Sequence, residues 1–92
     1  GCPSEEDYPQ GYVLNGESDQ IIIVCDPFLY GGGGSYNSDS TECIIDCPGR
    51  HFTVGPSARL ILDSLILAGA TDSSVQVQAN GKLEVVNSIF QA

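Results

Sequence analysis

The side chains suited to chemistry here are four cysteines, one histidine, two basic residues in matching contexts, and a scatter of carboxylates. Cys2, Cys25, Cys43 and Cys47 form an even set in a short chain, which reads as two disulfides made in an oxidising compartment. A zinc centre is the alternative, but it wants two paired clusters. Only Cys43-x3-Cys47 is tightly spaced, and His51 has no second histidine to join it. Four cysteines allow three pairings. Cys25–Cys43 would close the Gly-rich stretch between them, and Cys2–Cys47 would tie the leading segment to the first regular coil.

His51, Asp63 and Ser64 are the ingredients of a nucleophilic triad, but no Gly-x-Ser-x-Gly elbow or other positioning motif accompanies them. His51 reads instead as a turn residue beside a strand. A polysaccharide lyase needs clustered acids for calcium and a base to abstract a proton. An inverting hydrolase needs paired carboxylates on adjacent coils. Asp63 and Glu84 occupy different positions in the pattern and supply neither, so no catalytic residue, metal site or cofactor is expected. Asp26, Asp39 and Glu42 are acids that can hold a loose calcium ion, without EF-hand spacing. Arg59 and Lys82 align as a two-rung basic ladder, able to meet a carboxylated or sulfated glycan or simply to stand solvated at a turn.

Charge narrows the partners. Twelve acids face three bases, a formal net charge of −9. Residues 1–46 hold nine acids and no base, whereas residues 47–92 hold three acids against Arg50, Arg59 and Lys82. Nucleic acid and anionic membrane both demand clustered Lys and Arg, so neither is an expected partner. No apolar run reaches transmembrane length, no N-glycosylation sequon occurs, and Gly1-Cys2-Pro3 reads as a processed start.

The elements that must position these groups are short strands. Residues 1–20 are polar and turn-rich and read as an irregular cap. Residues 21–92 read as coils of β-structure, with a Gly-rich loop at 26–42. Ile21 to Cys25 is a β-branched strand stopped by Asp26-Pro27. The loop carries Gly31 to Gly34 but no lysine, so it is not a phosphate cradle. From Cys43 onward, three- and four-residue strand segments alternate with turn formers such as Pro48-Gly49, Gly55-Pro56-Ser57 and Asn80-Gly81. Tyr8, Tyr12, Tyr30 and Tyr36 sit among Gly and Ser, as in recognition loops, or as a cap over the first coil.

A repeat orders the second half. Moving Phe52 forward by 23 residues lays it on Val75, and the same step lays Val54 on Val77, Arg59 on Lys82, Leu60 on Leu83 and Leu62 on Val85. One extra residue is then expected, bringing Asp63-Ser64 onto Asn87-Ser88, with Asp63 and Asn87 as equivalent Asx corners. A like step back from Ile44 lands on Ile21. A period of this length implies stacked units, like side chains lying one over another about 4.8 Å apart. An antiparallel meander with an Asn80-Gly81 hairpin turn is the other arrangement the spacing allows.

Cys43-Ile44-Ile45-Asp46-Cys47-Pro48-Gly49-Arg50-His51-Phe52-Thr53-Val54, followed by Ala58-Arg59-Leu60-Ile61-Leu62-Asp63-Ser64-Leu65-Ile66-Leu67, resembles the pectin-lyase-like right-handed parallel β-helix. The similarity is to algal surface proteins and to polymorphic outer-membrane-type repeats of bacteria, and it covers residues 43–91. It implies an all-β fold, a right-handed parallel β-helix (solenoid) segment with an irregular disulfide-bonded N-terminal cap. That architecture serves lyases, adhesins and inert stalks alike. The expectation is an extracellular or cell-surface structural or adhesive module of a cell-surface, cell-wall or appendage assembly. A glycan-binding module using Arg59 and Lys82, or the N-terminal part of a polysaccharide-degrading enzyme, are the alternatives. Because Phe90-Gln91-Ala92 follows a coil directly, other protein subunits or further β-helix coils are expected at that end, and polysaccharide is a candidate partner.

Overall fold

A computed structural model describes residues 2–25 and 43–91. The Gly-rich loop expected at 26–42, with Tyr30, Tyr36 and the acids Asp26, Asp39 and Glu42, lies outside the described residues. Nine strands occur among the described residues: β1 Tyr12–Leu14, β2 Gln20–Val24, β3 Cys43–Asp46, β4 Phe52–Val54, β5 Arg59–Asp63, β6 Leu65–Ala68, β7 Val75–Val77, β8 Lys82–Val86 and β9 Ile89–Phe90. Their composition explains them, because Val, Ile, Leu and Phe at alternate positions suit a pleated ladder buried on one side.

The strands form three parallel three-stranded sheets, β1-β4-β7, β2-β5-β8 and β3-β6-β9. The chain thus makes three passes, each visiting the three sheets once in the same order. Every strand pair is parallel, and Val75–Val77 pairs with Phe52–Val54, not with Leu83–Val85, so there is no hairpin at Asn80-Gly81. Leu60 is the register partner of Ile21 on one side and Leu83 on the other.

Burial follows from this layering. Leu60 and Leu62, in the middle pass, are 0 % exposed, as are Leu14 and Val54. Cys25, Leu65, Leu67, Phe52 and Ala58 complete the buried core among the described residues, with Ile21, Ile23, Ile45, Val75 and Leu83 packed against it from the outer passes. Burying a Leu side chain is worth about 1.5–3 kcal/mol, so the middle pass, covered on both sides, carries most of the stabilisation.

The register corrects three expectations. The stretch 1–20 is not wholly irregular, because Tyr12–Leu14 is a strand paired to Phe52–Val54. The step from Ile44 to Ile21 fails: Ile21 pairs with Leu60 in the second sheet, and Ile44 pairs with Ile66 in the third. No extra residue enters after Leu62, for Asp63 pairs with Val86 and Ile66 with Ile89, a constant offset of 23. The equivalent corners are therefore Ser64 and Asn87, both at positive φ (63° and 48°), as are Ser57 and Asn80 one corner earlier (65° and 63°). Left-handed backbone at these points turns the chain from one sheet into the next.

Candidate functional site

Arg59 and Lys82 open β5 and β8 just after the turns carrying Ser57 and Asn80. They are direct register partners, and Gln20 of β2 completes the row. All three stand on the outer face of the second sheet, because the alternate residues Leu60 and Leu83 point to the core. Beside them runs an open groove of about 490 Å³ lined by Glu17, Gln20, Ser57, Arg59, Lys82 and Glu84.

The two cations differ within the groove. Arg59 donates from Nη2 to Glu84 Oε1 at 2.5 Å, a contact between side chains 43 % and 49 % exposed. An ion pair that wet contributes little to stability. Arg59 Nε is buried without a hydrogen-bond partner. Lys82 makes no salt bridge among the described residues. The groove thus offers a free ammonium, a guanidinium already partly committed, two carboxylates and several neutral polar groups. That set can hold a polyhydroxylated ligand, with a charge to spare for a ligand carboxylate or sulfate.

The triad ingredients are not assembled. His51 sits 7 % exposed between β3 and β4, with Nδ1 2.7 Å from Ser74 Oγ and Nε2 2.8 Å from the Cys47 carbonyl oxygen. A carbonyl only accepts, so Nε2 donates there and Nδ1 accepts from the Ser74 hydroxyl. Ser64 Oγ instead donates to Asp63 Oδ1 at 2.8 Å, at the corner between β5 and β6. His51 ties one pass to the next. No group of three or more His, Cys, Asp or Glu able to hold a metal occurs among the described residues.

Arg50 has a structural role that its sequence neighbourhood does not announce. Its guanidinium reaches the third pass, donating to Asp72 Oδ2 at 3.0 Å and Gln76 Oε1 at 2.7 Å. Its side chain is 15 % exposed, more buried than that of Arg59, although its acceptor Asp72 stands 72 % exposed. The nearest signal in the sequence is the offset itself, since Asp72 and Gln76 bracket the position 23 residues on. Tyr8 and Tyr12 help line a smaller apolar cavity of about 200 Å³ with Ile45, Pro48, Arg50 and Phe52.

Two disulfides close the arrangement. Cys2 is joined to Cys47, with Cα atoms 5.6 Å apart, and Cys25 to Cys43, with Cα atoms 5.9 Å apart. The first fastens the leading segment beside the turn that follows β3. The second brackets residues 26–42 at the corner between β2 and β3. No described cysteine is free, and the pair is compatible with an extracellular setting. No family model, curated protein or solved structure matches the chain.

Proposed function

We propose that this chain is a right-handed parallel β-helical module of an extracellular structural or adhesive assembly, supplying rigidity and a contact surface. The observation that carries this reading is the set of apolar columns running through all three passes, such as Ile21–Leu60–Leu83 and Ile23–Leu62–Val85. Parallel passes in constant register make a stiff rod segment that gains stability with every added layer. The pectin-lyase-like likeness of residues 43–91 and the two disulfides support the same reading. In it, the β7–β8–β9 edge is where other subunits or further coils bear on the module.

The groove beside Arg59 and Lys82 favours a second reading, a glycan-binding module, because Lys82 is unpaired among the described residues. Affinity electrophoresis separates the two. The chain is run through gels containing neutral, carboxylated or sulfated polysaccharide, next to Arg59→Ala/Lys82→Ala. The structural reading expects equal mobility in every gel. Retardation of the native chain that the double substitution abolishes would replace it with the glycan reading.

A further inference from the structure

We propose that Asn15, in the turn between β1 and β2, is a site of spontaneous deamidation, and that the fold confines the reaction to it by shielding Asn80. The proposal is independent of both functional readings above.

The chain holds two Asn-Gly pairs, Asn15-Gly16 and Asn80-Gly81. In such a pair the glycine nitrogen can attack the asparagine side-chain carbonyl carbon, because no Cβ on the second residue obstructs the approach. The new bond joins the glycine nitrogen to Cγ, the Cγ–Nδ2 bond breaks, and the amide proton leaves with Nδ2 as ammonia. Water then opens the resulting succinimide. Addition at Cγ gives aspartate, and addition at the main-chain carbonyl gives isoaspartate, whose backbone runs through the side chain. Water is the one co-reactant consumed.

Both asparagines are exposed, so exposure does not separate them. The backbone does. Leu14 pairs with Val54 and Gln20 with Arg59, so the first pass takes residues 15–19 through a corner that 55–58 and 78–81 each turn with one residue fewer. The extra residue bows this turn away from the stack, and a Cβ on Gly16 would meet nothing within 4 Å. Three hydrogen bonds shape the turn. The Asp19 carboxylate accepts from Asn15 N, the Asn15 carbonyl from Ser18 Oγ, and the Gly16 carbonyl from Asp19 N. None of them holds the attacking nitrogen, for Gly16 N donates no hydrogen bond among the described residues.

Asn80-Gly81 is seated on the middle pass instead. Gly81 N donates to the Gln78 carbonyl at 2.9 Å, and the next amide, Lys82 N, donates to the Ala58 carbonyl at 2.9 Å. A Cβ on Gly81 would lie 3.0 Å from the carbonyl oxygens of Gln78 and Gly55 and 3.1 Å from that of Val54. Attack there requires the turn to leave its seat and Gly81 to give up its bond. One bond of ordinary strength corresponds to a slowing of about fivefold. Reaction at Asn15 places a carboxylate on the turn that carries Glu17, a wall of the groove beside Arg59, and adds a negative charge to the chain's −9.

The test incubates the full oxidised chain at mildly alkaline pH, samples it over time and digests each sample for mass spectrometry. The amide-to-acid mass change is followed in each Asn-Gly peptide. Asn15 should convert first, with Asn80 slower by about fivefold or more. With the disulfides reduced in guanidinium the two rates should converge, because the difference resides in the fold. Asn15→Gln should stop conversion in its own peptide and leave the slow rate at Asn80 unchanged. Equal rates in the folded chain, or faster conversion at Asn80, overturn the proposal. A gap of the same size that persists in guanidinium overturns it too, since local sequence would then set the rates. So does a folded chain in which neither site converts while the denatured chain converts at both.

Discussion

Leu60 and Leu83 are the same residue type in the same column, one pass apart, yet they should differ sharply when truncated. Leu60 is 0 % exposed, with Ile21 on one side and Leu83 on the other. Leu83 is half-buried and has a strand neighbour on one side only. Leu60→Ala removes three carbons, about 0.8 kcal/mol each in transfer, and leaves a cavity closed above and below. The loss should therefore reach about 3–5 kcal/mol. Leu83→Ala opens onto solvent, leaves no closed cavity, and should cost about 1 kcal/mol. For a domain of this size, those losses correspond to falls in Tm of about 12–40 °C and about 4–8 °C. The assay is urea denaturation of the oxidised protein followed by far-ultraviolet circular dichroism, at a concentration low enough to keep copies apart. The m-value should be unchanged, so that the midpoint alone reports stability. Equal losses at the two positions, or a larger loss at Leu83, would refute the layering.

Other substitutions probe the remaining supports. Replacing Cys2 and Cys47 with Ser frees a span of 45 residues and should cost about 4 kcal/mol, measured by the same denaturation. Gly11→Ala should destabilise by about 1–3 kcal/mol, because Gly11 has φ of 67° and its added Cβ would meet the carbonyl oxygens of Arg50 and His51. Arg50→Ala should cost about 1 kcal/mol by stripping the largely buried guanidinium's bonds to Asp72 and Gln76. Arg59→Ala with Lys82→Ala should shift the midpoint by no more than about 0.5 kcal/mol, in keeping with wet side chains on an outer face.

Much of this architecture can be read from spacing. The offset of 23 between Phe52 and Val75 names the correct register partners as far as Leu62 and Val85. It falters at the corner because Asp63-Ser64 and Asn87-Ser88 look chemically alike, whereas what must match is the left-handed backbone at Ser64 and Asn87. Serine there gives no sign of its φ. The first pass hides for a different reason. Tyr12 stands 40 residues before its partner Phe52, an excess of seventeen over the later period, and seventeen is the length of segment 26–42. A three-residue strand between glycines, displaced by such an addition, is stabilised by pairing with β4 and not by local propensity.

The candidate site divides in the same way. The alignment of Arg59 with Lys82 is visible in the repeat, since both follow a turn and precede a core Leu. The pairing of Arg59 with Glu84 is not, because it runs diagonally between adjacent strands. His51 reads as a turn residue, but its two bonds to Ser74 and Cys47 depend on how one loop lies over the next.

Methyl–methyl nuclear Overhauser contacts in isotope-labelled protein test the stacking most directly. Leu60 methyls should show cross-peaks to Ile21 and to Leu83, with Leu62 showing the parallel set to Ile23 and Val85. Contacts joining Leu83 to Val77 across a hairpin, with none between Leu60 and Ile21, would contradict it.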